Sequence, residues 1–216
     1  MTSGSSTPRR ALVVIDVQNE YFSGGNLPIE YPPIHSTLPN VIQAMDAAHE
    51  AGIPIVLVRH GAGAGAPIFA NGSAGWQLHP EIARRPHDHL FDKQRASVFA
   101  GTDFAPWLAR HEIDTLAVVG YMTHNCDAAT IYEASHRGLK VEFLSDATGA
   151  LPYANEAGRV TAEEIHRVYS VVFHTGFAAV VPTSAWIAAV RAGSALASDN
   201  VYASNLRARE VAVPTA

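Results

Sequence analysis

The sequence predicts an α/β protein in three layers, α/β/α, around a central and mostly parallel sheet of Rossmann-like build. Three observations carry that prediction. Short β-branched runs at Ala11 to Ile15, Ile53 to Val58, Thr115 to Val119 and Val141 to Leu144 show no period-two alternation, which suits strands covered on both faces. Helical patterns fall between them, as crossover connections require. Finally, 216 residues with 48 % hydrophobic and 16 % charged composition supply a sizeable core for one large domain, against a typical domain length of ~150.

The elements follow in order. Residues 1–9, rich in Ser, Thr and Gly, are expected to be disordered, and residues 10–192 to form the domain. The first run stops at Asp16. Ser23 to Pro39 is dense in proline and glycine and reads as a long loop. Leu38 to Ala51 then places Val41, Ile42, Met45, Ala48 and His49 near one helical face and ends at Gly52, a suitable residue for the position after a helix. After the second run, Gly61 to Pro86 reads as another long loop. Leu90 to Lys93 is a short apolar run, a minor strand or loop. Asp103 can cap a helix through Arg110, and Asn125 precedes a helical segment that reaches His136 and stops at Gly138. Thr161 with Glu164 forms a capping box ahead of Ile165, Val168 and Val172. A fifth run at Ala178 to Val181 precedes a helix after Thr183 that contains Trp186 to Val190. Residues 193–216 have weak periodicity, and either fray or lie as an arm on a neighbouring subunit.

Composition narrows the function. Fifteen basic and twenty acidic residues give a net charge of −5 with no basic block, so nucleic acid is not an expected partner. No apolar run approaches the ~20 residues of a membrane span and no signal peptide is readable, so neither a membrane partner nor export is expected. A single cysteine, Cys126, excludes an intramolecular disulfide and fits a reducing, cytoplasmic compartment.

Several motifs are discounted. Gly61 to Ala66 satisfies G-x-G-x-x-G/A, but Pro67 and the Asn71-Gly72 turn continue the loop where a dinucleotide site needs a helix to open. Ser73 lies in a sequence like a nucleophile elbow, with Asn71 in place of the first glycine and no strand before it. Eleven histidines, among them His60, His79, His87 and His89, come without a helical H-E-x-x-H or a Cys/His pairing.

Three residues fall where a parallel sheet places its chemistry, at or just past the C-terminal strand ends: Asp16, Lys93 and Cys126. A thiol of pKa ~8.5 is only about 3 % thiolate at neutral pH, so a cysteine nucleophile needs assistance. A helix N-terminus and the Lys93 ammonium would both favour the anion, which predicts a depressed pKa for Cys126. Asp16 can take the thiol proton and return it to a leaving amine, while attack on an amide carbonyl gives a thioester. Asp127, next to the cysteine, argues the other way as a neighbouring negative charge.

In the Val13 to Asn19 segment, in Lys93 with Ser97, Phe99 and Gly101-Thr102-Asp103, and in Gly120 to Cys126, the chain resembles the isochorismatase-like cysteine hydrolases. That family includes nicotinamidases, N-carbamoylsarcosine and biuret amidohydrolases, and streptothricin hydrolases. The resemblance covers roughly Arg10 to Val190. It implies the isochorismatase-like hydrolase fold, a catalytic triad of Asp16, Lys93 and Cys126, and a cis peptide between Tyr121 and Met122. It also implies an oxyanion hole from the backbone N–H groups of Met122 and Cys126, and a homodimer or homotetramer.

Nicotinamidases carry an Asp-x-His metal motif after the second strand, where this chain has Val58-Arg59-His60-Gly61, so no metal or other cofactor is expected. The expected activity is hydrolysis of a small-molecule amide, carbamoyl or lactam bond with release of ammonia or an amine. A vinyl-ether hydrolase and a catalytically silent binding protein with this fold are the alternatives. Tyr21, Phe22, Trp76 and His124 are candidate substrate walls, with core packing as the alternative for each aromatic. Gln18 and Tyr121 are expected, with Asp127, to surround the site without contacting the reacting atoms.

Overall fold

The computed structural model describes residues 7–211. Its sheet has six parallel strands in the order β3-β2-β1-β4-β5-β8: β1 is Arg10–Ile15, β2 Ile55–His60, β3 His89–Lys93, β4 Thr115–Tyr121, β5 Lys140–Gly149 and β8 Ala179–Val181. The helices are α1 (Ile34–Glu50), α2 (Pro80–Ala83), α3 (Phe104–Arg110), α4 (Ala128–His136), α5 (Ala162–His174), α6 (Thr183–Ala192) and α7 (Val201–Val211). Successive side chains of a strand point to opposite faces. Accordingly Ala11, Val13 and Ile15 of β1 join a core with Trp107, Leu108, Ile131 and Phe173 from α3, α4 and α5, while Leu12 and Val14 join Val41, Met45 and Trp186 from α1 and α6. These two cores are the outer interfaces of the three-layer fold.

Several boundaries differ from the sequence reading. α1 begins at Ile34, inside the expected loop, and holds Pro39. Proline costs one backbone hydrogen bond there, but its fixed φ is helical. Burial of Thr37, Val41, Ala44, Met45 and Ala48 holds the helix; Ile42 is half-buried and His49 exposed. The second expected loop contains α2. Leu90 to Lys93 belongs to edge strand β3, and a small antiparallel hairpin, β6 (Tyr153–Asn155) with β7 (Gly158–Val160), appears where nothing was expected. The Thr161/Glu164 capping box forms. Asp103 and Asn125 do not cap: the first makes no side-chain cap bond, and the second lies inside a π-helical turn, Thr123–Asp127, that precedes α4.

Val168 and Val172 also fall on the solvent side of α5, with Val171, instead of in the core. Within the expected disordered start, Arg9 is held by its N–H on Asp114 Oδ1 at 3.0 Å, while residues 1–6 lie outside the described residues. The C-terminal tail is anchored at Ser194, whose carbonyl accepts from Arg10 at 2.5 Å, and then forms the largely exposed α7; residues 212–216 lie outside the described residues.

One glycine sets the geometry of the strand ends. Gly120 has φ +115°, and a Cβ there would lie 2.0 Å from the Ile15 carbonyl oxygen. Its absence lets β4 press against the end of β1, just before Asp16. Gly120→Ala is expected to cost about 3 kcal/mol or more, from backbone strain plus the clash. Urea denaturation checks this; a loss under about 1 kcal/mol would contradict the close-approach explanation.

Candidate active site

Asp16 directly follows β1 and takes φ +50°, rare outside glycine. Its backbone is pinned on both sides: its N–H donates to the Val58 carbonyl at 3.0 Å and its carbonyl accepts from Gln18 N–H at 2.7 Å. The Gln18 side chain, fully buried, donates to the carbonyls of His60 and Trp76 at 2.9 and 2.8 Å and accepts from His60 N–H at 2.9 Å. It thus locks the ends of β1 and β2 to the loop that follows β2.

Lys93 is the last residue of β3, two strands from β1, a separation of roughly 9–10 Å that only a long side chain bridges. Its Nζ lies 2.7 Å from Asp16 Oδ2, 3.2 Å from Cys126 Sγ and 3.5 Å from His60 Nδ1. The side chains of Asp16 and Lys93 are fully buried and Cys126 is 6 % exposed. Cys126 sits in the π-helical turn immediately after the Tyr121–Met122 peptide, which is cis. Three residues separated by 77 and 33 positions therefore meet at one buried point.

The electrostatics differ from the sequence expectation. Burial, then the Asp16 carboxylate, push the Cys126 thiol well up, and the opposing pull of Lys93 is smaller. Burial alone would lower Lys93, but Asp16 and Cys126 together raise it. The resting site is a thiol beside an Asp16–Lys93 ion pair, not a preformed thiolate. The depressed cysteine pKa expected from a helix terminus fails because a buried sulfur has lost its water and shares its cation with a carboxylate. Asp127 is fully buried, and burial followed by the charge of Asp16 pushes its carboxyl well above the usual range. The shift lowers the negative charge it carries, so it opposes the thiolate less than an ordinary carboxylate would.

The four candidate wall residues separate. Tyr21 is buried, its ring 5.6 Å from Tyr121 and 5.2 Å from Phe69, and burial with the charges of Cys126 and Asp16 raises its pKa. Tyr121 itself turns away, its hydroxyl 2.8 Å from Thr37 Oγ1. Phe22 stacks on His79 at 4.2 Å. Trp76 carries Arg59 over its ring at 3.6 Å and, with Gly61, Asn71, Lys93 and Arg95, lines a cavity of about 650 Å³ at the ends of β2 and β3. His124 packs edge-on against Tyr153 of the hairpin at 5.0 Å. Tyr153, whose titration feels Cys126, was invisible in the sequence because its strand is three residues long. His60 could have been found, since it pairs in register with Lys93. A second cavity, about 780 Å³, lies by Asp114, Lys140 and Ser198 near the N-terminal ends of β4 and β5, away from these groups. Among the described residues no group of three or more His, Cys, Asp and Glu side chains is placed to hold a metal ion.

Behind the thiol, His166 of α5 is buried with Nδ1 2.9 Å from Thr123 Oγ1, and burial lowers its pKa to about 4. The folded state thus holds His166 neutral while the unfolded chain protonates near 6.5. Below that value the unfolded state binds the extra proton, so stability is lost as pH falls from 6.5 toward 4, by about 2–3 kcal/mol at pH 4.5. Urea unfolding of the wild type and His166→Gln at pH 7 and 4.5 measures this; equal pH dependence in both would reject it.

Residues 10–163 match the family model described as "Isochorismatase domain". The secreted isochorismatase effector Isc1 of Verticillium dahliae is 31 % identical over 68 % of this chain and 76 % of its own. The ureidoacrylate amidohydrolase RutB of Acinetobacter baylyi is 29 % identical over 82 % of both. Among solved structures, an isochorismatase-named protein of Burkholderia xenovorans LB400 superposes with TM-score 0.94 at 59 % identity, covering 95 % of this chain and 99 % of that one. A cysteine hydrolase from Pseudomonas syringae pv. phaseolicola 1448A superposes with TM-score 0.80 at 25 % identity, covering 86 % and 93 %. With the family model spanning most of the sheet, including all three clustered residues, the chain belongs to the isochorismatase family of hydrolases.

Proposed function

We propose that this hydrolase cleaves a small-molecule C–N bond, in an amide, carbamoyl group or lactam, through a thioester on Cys126. The single observation that carries the reading is the buried convergence of one thiol, one ammonium and one carboxylate, with Lys93 Nζ 2.7 Å from Asp16 and 3.2 Å from Sγ. The names of the relatives RutB and streptothricin hydrolase support the same reaction class.

Asp16 Oδ1 has no hydrogen-bond partner among the described residues, which leaves its lone pairs open to the thiol proton. As Sγ attacks the carbonyl carbon, the S–H proton passes to Asp16 and the C–S bond forms. The neighbouring ammonium stabilises the sulfur's developing charge, and the N–H groups of Met122 and Cys126 receive the oxyanion. Collapse breaks the C–N bond, with the proton held by Asp16 going to the leaving nitrogen. Water, deprotonated by Asp16, then attacks the thioester and releases the acid, restoring the thiol. Because burial keeps the resting sulfur protonated, the carboxylate generates the nucleophile at the moment of attack.

Ammonia release across primary amides, ureas and lactams tests the proposal. Turnover of at least one, lost at least about 10³-fold in Cys126→Ser, is the expected result. Undiminished turnover in that variant would remove the cysteine from the chemistry.

A further inference from the structure

The cavity of about 650 Å³ at the ends of β2 and β3 has Lys93 in its wall, and the Nζ of that lysine lies 3.2 Å from Cys126 Sγ. Its volume is that of a site enclosing a whole small molecule, far more than the group undergoing cleavage needs. The surplus room adjoins the reacting groups, and its walls have a definite charge and polarity.

Three charged side chains line the cavity: Asp92, Lys93 and Arg95. Asp92 is held by Arg59 through two bonds, Nε to Oδ1 at 2.7 Å and a terminal guanidinium nitrogen to Oδ2 at 3.0 Å. Lys93 is held by Asp16 at 2.7 Å. Arg95 makes neither an ion pair nor a hydrogen bond with any other described residue, so the lining carries one unbalanced positive charge. Two residues beyond Lys93, its Cα lies within about 7 Å of the lysine Cα.

The opposite part of the lining supplies further donors. The indole N–H of Trp76 and the carboxamide of Asn71 also bond to no described residue, and both lean over Gly61, where a Cβ would stand 3.2 Å from Trp76 Nε1 and 2.3 Å from Asn71 Oδ1. Trp76 is fixed from two sides. Gln18 Nε2 donates to its carbonyl at 2.8 Å, and the Arg59 guanidinium lies 3.6 Å over its ring. An unpaired guanidinium fork and a fixed indole N–H in one cavity complement a carboxylate, which accepts at both oxygens and donates nothing.

We propose that Arg95 is a specificity-determining residue, and that the substrate amide carries a carboxylate, remote from the bond that is cleaved, which Arg95 receives in this cavity. This rests on the hydrolase reading above and deepens it, by naming the charge class of the substrate. An arginine acting only through its field on Lys93 and Cys126 would alter the turnover of charged and neutral amides alike.

Succinamate, glutaramate and adipamate, each set against its own diamide, present a carboxylate or a neutral carboxamide of the same shape at three reaches. The wild type is expected to favour the carboxylate in kcat/KM by about tenfold or more at one reach at least, after allowance for the diamide's two equivalent bonds. In Arg95→Gln that preference falls about tenfold or more, chiefly through KM, because the remote carboxylate loses its charged partner. Arg95→Lys, which keeps the charge without the fork, retains the preference within about five-fold. No preference in the wild type at any reach, or an undiminished one in Arg95→Gln, overturns the proposal. If none of these amides is hydrolysed, the hydrolase reading fails separately, and the protection each gives Cys126 against iodoacetamide decides by the same comparison: greater protection by the carboxylates, lost in Arg95→Gln, supports Arg95, and equal or absent protection rejects it.

Discussion

Asp16→Asn should abolish hydrolysis and at the same time make Cys126 more reactive toward iodoacetamide. In the resting site, burial and the Asp16 carboxylate hold the thiol protonated, while Lys93 pulls the other way from 3.2 Å. Replacing the carboxylate with a neutral amide removes the raising charge and leaves a buried ammonium without its 2.7 Å partner. The cheapest neutralisation available is ionisation of the sulfur beside it, since an unpaired buried charge costs several kcal/mol. Each unit by which the thiol pKa drops gives about tenfold more thiolate well below that pKa, so alkylation at pH 7 is expected to speed up about tenfold or more. Hydrolysis moves oppositely, falling at least about 10³-fold, because the preformed thiolate has no acid to protonate the leaving nitrogen and no base to activate water. Alkylation rates and ammonia release on the same samples measure both. A fall in both would assign Asp16 a positioning role only.

Much of this arrangement is legible in the sequence, and the boundary of legibility has physical causes. Fully buried parallel strands leave continuous apolar runs, so β1, β2 and β4 stand out, and an aspartate and a cysteine just beyond two of them mark the edge of the sheet where the proposed chemistry sits. Lys93 is weaker as a signal, because its strand pairs on one side only and its burial pattern is broken. The titration behaviour of Cys126 is not legible in the sequence, for a definite reason. Sequence identifies which charges are neighbours, but desolvation depends on how completely the fold seals them, and here it outweighs the ammonium. Similarly, Asp127 reads as an ordinary anion in sequence, and only its full burial pushes its carboxyl above the usual range. Val168 and Val172 illustrate the opposite failure: their helical spacing is apolar, yet α5 meets the sheet through Ile165, His166 and Phe173. The hairpin carrying Tyr153 and the helix α7 leave no strong period at all, the first being too short and the second lacking a buried face.

Lys93→Met should be as inactive as Asp16→Asn, and the contrast between them is more informative than either alone. Methionine approximates the lysine stem but not its charge, so Asp16 is left as a fully buried carboxylate whose Oδ2 loses its partner. Breaking one member from such a pair typically costs about 3–5 kcal/mol, and that loss is expected in urea at pH 7. The carboxyl can escape the cost by taking up a proton, which raises its folded-state pKa above the unfolded ~3.9. A raised acid destabilises the fold above the unfolded pKa and stops doing so as pH falls below it, so the deficit of Lys93→Met should shrink from pH 7 toward pH 4. The thiol, now facing a carboxylate without the ammonium, becomes harder to ionise, and alkylation at pH 7 should fall below wild type. Asp16→Asn combined with Lys93→Met removes both charges and should recover most of the lost stability while remaining inactive, since a neutral apolar replacement of a buried pair is often tolerated. Stability at two pH values, together with alkylation rates, checks the whole series. A deficit in Lys93→Met that persists unchanged at pH 4, or that the double variant fails to relieve, would show that lysine's packing rather than its charge is what Asp16 requires.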